Sequence, residues 1–273
     1  MALLGRQESS GEFQMVSAIR TDKLSRSFSG KTAVDQVDLD VLSGTFYGFL
    51  GPNGAGKSTT IKMLTGLLQP SSGLVEVLGR NMLDPKQSLE VKRSIGVIPE
   101  NLALFDHLTA MEYLTFVGRI HGLARETIRQ RSSELLTLLD LEDDPKKVSA
   151  DFSHGMRKKL SLAAALIHRP QLLFLDEPFE GVDAVASRTI RELLLQFTAS
   201  GGTVFLTSHV LEIVERLCSH VGIIVSGKLV VQSSLADLVE GGSLENAFIK
   251  ATGAELIEAQ GARLDWLTSE QGS

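Results

Sequence analysis

The chain has 273 residues, enough to bury a full core, and 43% of them are hydrophobic against 22% charged, which is ordinary for a soluble globular protein. Its net charge of −6 and isoelectric point near 5.6 argue against a nucleic-acid-binding surface, which normally carries a basic excess. The single cysteine, Cys218, excludes an internal disulfide and is expected to be buried, and no apolar stretch is long enough to span a bilayer. Because the N-terminus also lacks a signal-peptide pattern, we expect a reduced, cytosolic chain that reaches a membrane only through a partner.

The first half of the chain mixes strand and loop signals. Residues 1–16 are polar and predict a flexible tail. Over residues 18–41 apolar residues alternate with polar ones, which predicts half-buried antiparallel strands. The remaining elements predicted up to residue 98 are strands at 45–50, 73–79 and 94–98 and a helix at 58–65.

In the second half of the chain, the spacing of apolar residues changes first to that of a helix. Over residues 108–148 apolar residues recur at helical spacing, which predicts a separate helical lobe. Beyond residue 170 the pattern is strand–helix–strand, and the run at 172–175 is apolar enough for a strand buried on both faces. The elements predicted in this half are helices at 156–167 and 189–197, strands at 172–175, 203–207 and 221–225, a hairpin turn at 226–228, and short helices near 234–239 and 243–251.

Residues 51–59 read Gly-Pro-Asn-Gly-Ala-Gly-Lys-Ser-Thr and match the phosphate-binding loop pattern of glycine, four residues, then Gly-Lys-Ser/Thr. Glycines let successive backbone N–H groups face a triphosphate, and the following helix adds the positive end of its dipole. Lys57 is expected to reach the β- and γ-phosphates, and the Ser58 hydroxyl to ligate Mg²⁺. The residues predicted to bind the nucleotide here are Gly51, Pro52, Asn53, Gly54, Ala55, Gly56, Lys57, Ser58 and Thr59.

Residues 172–183, Leu-Leu-Phe-Leu-Asp-Glu-Pro-Phe-Glu-Gly-Val-Asp, indicate the kind of reaction. Asp176 ends an apolar strand, where a carboxylate can hold the shell of a Mg²⁺ ion. Glu177 follows directly, where it can polarise an attacking water as a general base; the alternative is an acidic pair that only caps a strand. A kinase does not need Glu177, and the guanine-reading Asn-Lys-x-Asp motif of GTPases is absent from the sequence. The pattern therefore predicts hydrolysis of a γ-phosphate.

From about residue 17 to 252, the motifs and their order resemble the ATP-binding subunits of ATP-binding cassette (ABC) transporters, in particular an exporter-like subgroup. The resemblance implies an α/β fold, a P-loop NTPase of ABC ATPase type, whose mixed central sheet is accompanied by an antiparallel β subdomain. It also implies an α-helical subdomain at about 101–154 within a nucleotide-binding domain at 17–233, followed by a short C-terminal helical extension at 234–273.

The resemblance implies further roles, position by position. Phe28 is similar to the aromatic residue that stacks on adenine, with plain core packing as the alternative. Glu177 is similar to the catalytic glutamate, and His209 to the switch histidine that contacts the γ-phosphate and positions water. Asp183 is similar to the aspartate of the loop that joins two ATP sites.

The signature segment departs from the family pattern. It reads Phe-Ser-His-Gly-Met over 152–156, where Leu-Ser-Gly-Gly-Gln is usual. Ser153 and Gly155 keep the hydroxyl and the helix N-terminus that bind a γ-phosphate. His154 gives up the conformational freedom of glycine. The basic residues Arg157, Lys158 and Lys159 could face phosphate, but a solvated helix start is the preferred expectation.

A second departure is Glu100, where the family usually has glutamine. A carboxylate can still ligate Mg²⁺ or hold water, so Glu100 is predicted to be both a catalytic residue and a metal ligand. It also adds a negative charge beside the phosphates, which affects rate or metal affinity. The predicted metal ligands are Ser58, Glu100 and Asp176.

The resemblance also implies partners. In this family the signature of one subunit closes over the ATP of another, so we expect a head-to-tail dimer with a second copy or a related ATPase subunit. An integral-membrane transporter subunit is expected to hold the chain at the cytoplasmic face of the membrane. Leu104 and Phe105, in a predicted loop, are either its docking groove or local packing on the helical lobe.

Two other functions compete with the transporter reading. One is a soluble ABC ATPase, although the long insertions of DNA-handling relatives and the second cassette of translation-type relatives are absent. The other is a regulatory module that binds ATP without turnover, which Glu100 and His154 would favour and which the intact Glu177 and His209 argue against.

Overall fold

The computed structural model describes residues 16–142, 146–240 and 242–253. Apart from Val16, the predicted tail lies outside the described residues, and so does the extension beyond residue 253. The described strands are β1 (Ser17–Phe28), β2 (Lys31–Val37), β3 (Asp40–Leu42), β4 (Phe46–Leu50), β5 (Ser72–Val77), β6 (Arg80–Asn81), β7 (Ile95–Ile98), β8 (Leu172–Asp176), β9 (Thr203–Ser208), β10 (His220–Val225) and β11 (Lys228–Ser234). The described helices are α1 (Lys57–Leu64), α2 (Pro85–Ser94), α3 (Ala110–Ile120), α4 (Arg125–Leu138), α5 (His154–Leu166), α6 (Ala184–Ala199), α7 (Leu211–Leu217), α8 (Leu235–Val239) and α9 (Leu244–Thr252).

The strand β1 organises an antiparallel sheet in the order β2-β1-β5-β6, and β3 also pairs with β1. Ile19 and Leu24 of β1 are fully buried, as are Val75 and Val77 of β5. One face of this sheet therefore packs on a core, in agreement with the alternating sequence.

The second sheet has the order β11-β10-β4-β9-β8-β7. Its strands from β10 to β7 are parallel, and β11 pairs antiparallel with β10 across the predicted turn at 226–228. Every residue of β4, β8 and β9 is buried, as expected for parallel strands covered on both faces. Their carboxyl ends meet at one edge, which is where such sheets bind ligands.

Successive residues of the buried strands point into two separate cores. Tyr47, Phe49 and Phe174 surround Phe205, with ring centroids 5.3–5.7 Å from it, in the core shared with the antiparallel sheet. The other core is shared with the helical lobe and contains Cys218. Burial raises the pKa of this thiol, so Cys218 is the buried, inert side chain that the sequence predicted.

The helical lobe is built from α3 and α4, which pack against α5. Thr109 and Glu112 form a capping box at the start of α3, which fixes where that helix begins. A Cβ at Gly118 of α3 would lie 2.7 Å from Cγ1 of Ile128 in α4. The bare glycine therefore lets these two helices approach closely.

The structure differs from the sequence expectations at several points. It contains two helices that were not predicted, α2 and α7, and the start of α2 has the signals of an Asp84 cap and a proline at the first position. The helix α6 begins at residue 184 and not 189, because the Asp183 carboxylate accepts bonds from the N–H groups of its first turn. Of the two alternatives for Leu104, local packing is confirmed, because the residue is 9% exposed and packs into the core beneath the helical lobe.

Candidate active site

The phosphate-binding loop joins β4 to α1 in a conformation that depends on glycine. Gly56 has a φ of 111°, which side chains disfavour, and a Cβ there would lie 2.5 Å from the carbonyl oxygen of Ala33. The adjacent Lys57 is buried and donates from Nζ to the carbonyls of Gly51 at 2.7 Å and Pro52 at 3.4 Å. The loop thus holds the ammonium group over its own backbone.

Asp176 and Glu177 lie at the carboxyl end of β8 and share one partner. The register of β8 and β9 sets Asp176 opposite Thr207, whose hydroxyl donates to Asp176 Oδ1 at 2.6 Å. The same hydroxyl oxygen accepts the backbone N–H of Glu177 at 3.1 Å. All three residues are buried, so Thr207 fixes the positions of both acidic residues. Thr207 was not predicted from the sequence. The feature that could have indicated it is its place two residues before His209, at the end of the strand that neighbours β8.

The Glu177 carboxylate lies between a histidine and a lysine. Its Oε2 is 3.0 Å from Nδ1 of His209, and its Oε1 is 3.9 Å from Nζ of Lys57. The Glu177 side chain is 10% exposed and that of His209 is 48% exposed, so the histidine forms the open side of the site. The backbone of Glu177 has a φ of 48°, a conformation that costs on the order of 1–3 kcal/mol for a residue other than glycine.

The residues predicted to hold Mg²⁺ have the right chemistry for that ion. The Ser58 hydroxyl lies 3.4 Å from Oε2 of Glu100, and Asp176 is buried at the carboxyl end of β8. Hydroxyl and carboxylate oxygens are the ligands that Mg²⁺ prefers. The donor set therefore fits the ion.

A cavity of about 350 Å³ opens over the phosphate loop. Ala33 and Glu180 also line it, and neither was predicted. A larger cavity of about 570 Å³ lies beside α4, and none of the predicted site residues lines it. The predicted residues that line the smaller cavity are Asn53, Gly54, Gly56, Lys57, Ser58, Thr59, Glu100, Glu177 and His209.

The signature residues form a second cluster outside this cavity. The Ser153 hydroxyl caps α5 by accepting a backbone N–H of the first turn. Gly155 is buried beside Asp183, since a Cβ there would lie 3.4 Å from Asp183 Oδ2. A bond from the N–H of Ala186 lowers the pKa of Asp183, which keeps this cap ionised.

Phe28 lies at the end of β1 and is also outside the residues that line the cavity. The residue is 43% exposed, so the alternative of plain core packing is wrong. The guanidinium carbon of Arg26 lies 4.6 Å from the ring centroid.

Two of the three basic residues at 157–159 do not form the solvated helix start that was predicted. Lys158 and Lys159 are 2% and 7% exposed, whereas Arg157 is partly exposed. Nζ of Lys158 donates to the carbonyl of Glu177 at 2.8 Å. Burial lowers the pKa of Lys158, and four carboxylates oppose that shift. These are the carboxylates of Glu180, Asp176, Glu177 and Glu100.

A phosphate loop on a parallel sheet, faced by a buried acidic strand end and a histidine, defines a P-loop nucleoside triphosphatase. Comparison with known proteins gives the family. Residues 34–180 match the family model described as ABC transporter. The chain is 39% identical over 216 residues to the bacitracin transport ATP-binding protein BcrA of Bacillus licheniformis, covering 79% of this chain and 69% of that protein. It is 37% identical over 220 residues to the linearmycin resistance ATP-binding protein LnrL of Bacillus subtilis (strain 168), covering 81% and 70%.

Solved structures agree. One described as an ATP-binding subunit of an ABC transporter has a TM-score of 0.80 at 29% identity, covering 86% of this chain and 99% of that one. The dimeric structure of MJ0796, a bacterial ABC transporter cassette, shares the fold with a TM-score of 0.74 at 23% identity, covering 79% and 98%. The chain therefore belongs to the ABC transporter family, as an exporter-like ATP-binding subunit that hydrolyses ATP. None of the helices in the described ranges has the length and apolar run that a bilayer span requires.

Proposed function

We propose that this chain powers a membrane exporter by hydrolysing ATP in a head-to-tail dimer that holds two ATP molecules in its interface. The observation that carries the proposal is the cavity over the phosphate loop, where Lys57, Glu177 and His209 converge. The names of the relatives support the export role. They include bacitracin transport and linearmycin resistance ATP-binding proteins and a Nod factor export ATP-binding protein of Cupriavidus metallidurans.

Glu177 is the general base of the proposed reaction. His209 approaches one of its carboxylate oxygens at 3.0 Å, which orients the carboxylate and leaves the other oxygen to accept a proton from water. Lys57 leaves its contacts with the loop carbonyls to neutralise charge on the γ-phosphate. The water attacks the γ-phosphorus in line while the bond to the β,γ-bridging oxygen breaks, so that ADP and phosphate leave. Positioning and charge stabilisation supply most of the rate.

Ser58, Glu100 and Asp176 are the proposed ligands of Mg²⁺. When bound, the ion neutralises phosphate charge. Glu100 adds a carboxylate beside the phosphates, so the divalent cation matters more here than with the usual glutamine.

Phe28 is the proposed platform for adenine. Arg26 stacks against the ring at 4.6 Å, which covers one face and leaves the exposed remainder of the ring for the base.

The second protomer of the proposed dimer is another copy of this chain or a related ATPase subunit. Ser153 and the first turn of α5 form a phosphate-binding helix start, yet they lie outside the cavity of their own chain. An ATP molecule bound to another subunit is the ligand that this surface suits. Asp183 lies beside that helix start, at the loop that would join the two sites.

The proposed membrane partner docks on the helical lobe, which places the chain at the cytoplasmic face of the membrane. Phe105 is 51% exposed and packs edge-on against Phe116, itself 41% exposed. Ile120, four residues after Phe116 on the same face of α3, is also exposed and extends this apolar surface. We call Phe105, Phe116 and Ile120 the α3 patch. Leu104 is buried beneath the lobe and does not belong to it.

An affinity pull-down from detergent-solubilised membranes, with and without ATP, tests the transporter role. We expect a multi-span membrane protein to co-purify, and we expect the Phe105→Ser and Phe116→Ser variants to lose it. Val230→Ser is a matched control, because Val230 is 48% exposed on the distant strand β11. Recovery from the cytosol alone, with Lys57-dependent ATP hydrolysis intact, would replace the proposal by a soluble ABC ATPase.

A further inference from the structure

The helix α5 presents two side chains to the segment that carries Glu177. His154 and Lys158 are four residues apart, so they lie on the same face of the helix. Lys158 donates from Nζ to the carbonyl of Glu177 at 2.8 Å. Nε2 of His154 lies 3.2 Å from the carbonyl of Glu180, and because a carbonyl only accepts, the imidazole N–H donates. We call residues 177–183 the catalytic loop, and His154 and Lys158 the α5 clamp.

The catalytic loop begins with a strained backbone conformation at Glu177, which its surroundings must stabilise. Glu177 adopts a φ of 48°, and such strain persists only where the surroundings impose it. The backbone of Glu177 is fixed from both sides, since its N–H is bonded to Thr207 and its carbonyl to Lys158. Without Lys158 the carbonyl side loses its charged partner.

Near the other end of the catalytic loop, Gly181 leaves room for the His154 side chain of the α5 clamp. Gly181 has a φ of 67°, and a Cβ there would lie 2.9 Å from Cδ2 of His154. The imidazole thus packs against bare backbone while its Nε2 bonds the preceding carbonyl. A glycine at position 154, as in the usual signature, could make neither contact.

We infer that His154 and Lys158 are positioning residues that lock the catalytic loop to the signature helix of the same chain. This inference rests on the proposed dimer, in which the start of α5 contacts the ATP of the other subunit. A displacement of α5 on closure over that ATP then moves Glu177 in its own site. The clamp therefore couples the two ATP sites through one rigid helix.

The test measures ATP hydrolysis by the purified full chain against ATP concentration, together with nucleotide affinity and melting temperature. For His154→Gly we expect kcat to fall about 3–10-fold, the loss of one ordinary hydrogen bond. For Lys158→Met we expect a fall of about 10–100-fold, because its donor is charged. We expect the Kd for ATP to stay within about twofold in His154→Gly, since that side chain does not line the cavity. Lys158→Met also removes a positive charge near the acidic site, so there we expect kcat to fall by a larger factor than the affinity.

Three comparisons separate positioning from a merely structural role. His154→Gln places an amide N–H near the position of Nε2 and should restore most of kcat. The double variant should lose less than the product of the two single losses, because both contacts hold the same loop. The Hill coefficient for ATP should fall from above 1 toward 1 in the clamp variants, because the link between sites is lost.

Arg157→Met is the matched control. Arg157 is the neighbour of Lys158 on α5, and it also donates to a backbone carbonyl, that of Ser149 at 2.9 Å, but in the helical lobe. We expect its kcat to stay within about threefold of wild type.

The possible results separate three claims: the clamp, the coupling between the two ATP sites, and the proposed function. Folded clamp variants that keep the kcat and Hill coefficient of wild type would overturn the inference and leave the proposed function standing. Reduced kcat with an unchanged Hill coefficient would overturn the coupling between sites. A wild-type chain whose ATP hydrolysis does not depend on Lys57 would instead overturn the proposed function.

Discussion

Replacing Glu177 by glutamine tests the proposed chemistry most directly. The substitution keeps the shape of the side chain and removes its ability to accept a proton from water. General-base catalysis contributes about 10²–10⁴-fold, or about 2.7–5.5 kcal/mol of activation free energy. We expect kcat to fall by that factor, because the carboxylate that His209 approaches at 3.0 Å is the proposed proton acceptor and glutamine cannot replace it.

The same change should not weaken ATP binding. The carboxylate of Glu177 lies 3.9 Å from the ammonium of Lys57, a gross attraction of about 4 kcal/mol at an effective dielectric constant of about 20. Glutamine removes this attraction and also removes repulsion of the γ-phosphate, so Lys57 is released toward the nucleotide. Even a third of that energy corresponds to binding about tenfold tighter. The expected Kd is therefore unchanged or up to about tenfold lower.

Single-turnover hydrolysis and equilibrium titration with a fluorescent ATP analogue measure the two quantities separately. Glu192→Gln is the control, because Glu192 makes an exposed ion pair with Arg188 on α6 and such pairs contribute little. Turnover near wild type in Glu177→Gln would remove Glu177 from its role as base. Loss of ATP affinity equal to the loss of kcat would show that Glu177 acts in binding and not in proton transfer.

Three further predictions concern other parts of the site and the fold. Lys57→Ala should weaken ATP binding by about 100-fold or more, the loss of two charge-assisted bonds at about 1.5 kcal/mol each, and an unchanged Kd in the same titration would contradict the phosphate-loop assignment. Phe28→Ala should weaken it by about 5–100-fold, since stacking on a base is worth about 1–3 kcal/mol, whereas Phe28→Trp should retain affinity. Burial and the neighbouring His121 lower the pKa of His168 to about 4. The unfolded chain has a histidine pKa near 6.5, so below that pH the unfolded state binds a proton that folded His168 does not. The fold therefore loses stability as pH falls from about 6.5 toward 4. We therefore expect the free energy of unfolding to drop by about 1 kcal/mol between pH 7 and 5, after allowing for the partial exposure of His168, and His168→Gln, which keeps a donor for the Ile95 carbonyl, should lose this part of the pH dependence in urea titrations.

The sequence was informative wherever chemistry and local structure coincide. The phosphate loop and the acidic strand end are contiguous, so their residue types report both the turn and its ligand. The apolar run at 172–175 likewise predicts a strand covered on both faces, which β8 is. Lys158 shows the opposite case. A charged side chain near the start of a helix is usually exposed to solvent. Only the packing of α5 against the end of β8 shows that the Lys158 ammonium is buried and bonded to the Glu177 carbonyl. Thr207 is similar, because its role depends on a strand register that no local pattern encodes.

The negative charge of the site predicts that ATP binding depends on a divalent cation. Glu100, Asp176, Glu177 and Glu180 lie near the phosphate loop, and the facing cations are Lys57 and Lys158. ATP adds further negative charge, so the chain relies on a cation to admit it. Glutamine at position 100 would remove one of the negative charges.

We therefore expect Glu100→Gln to bind ATP about tenfold more tightly than wild type in excess EDTA. Removing one negative charge beside the phosphates removes a repulsion of roughly 2–3 kcal/mol at an effective dielectric constant of about 20, before screening reduces it. With saturating Mg²⁺ the two proteins should bind ATP within about threefold, because loss of a ligand and loss of repulsion offset each other. Titrations of both proteins with and without EDTA give this ratio. If EDTA changed the Kd for ATP by the same factor in wild type and variant, Glu100 would not interact electrostatically with the phosphates.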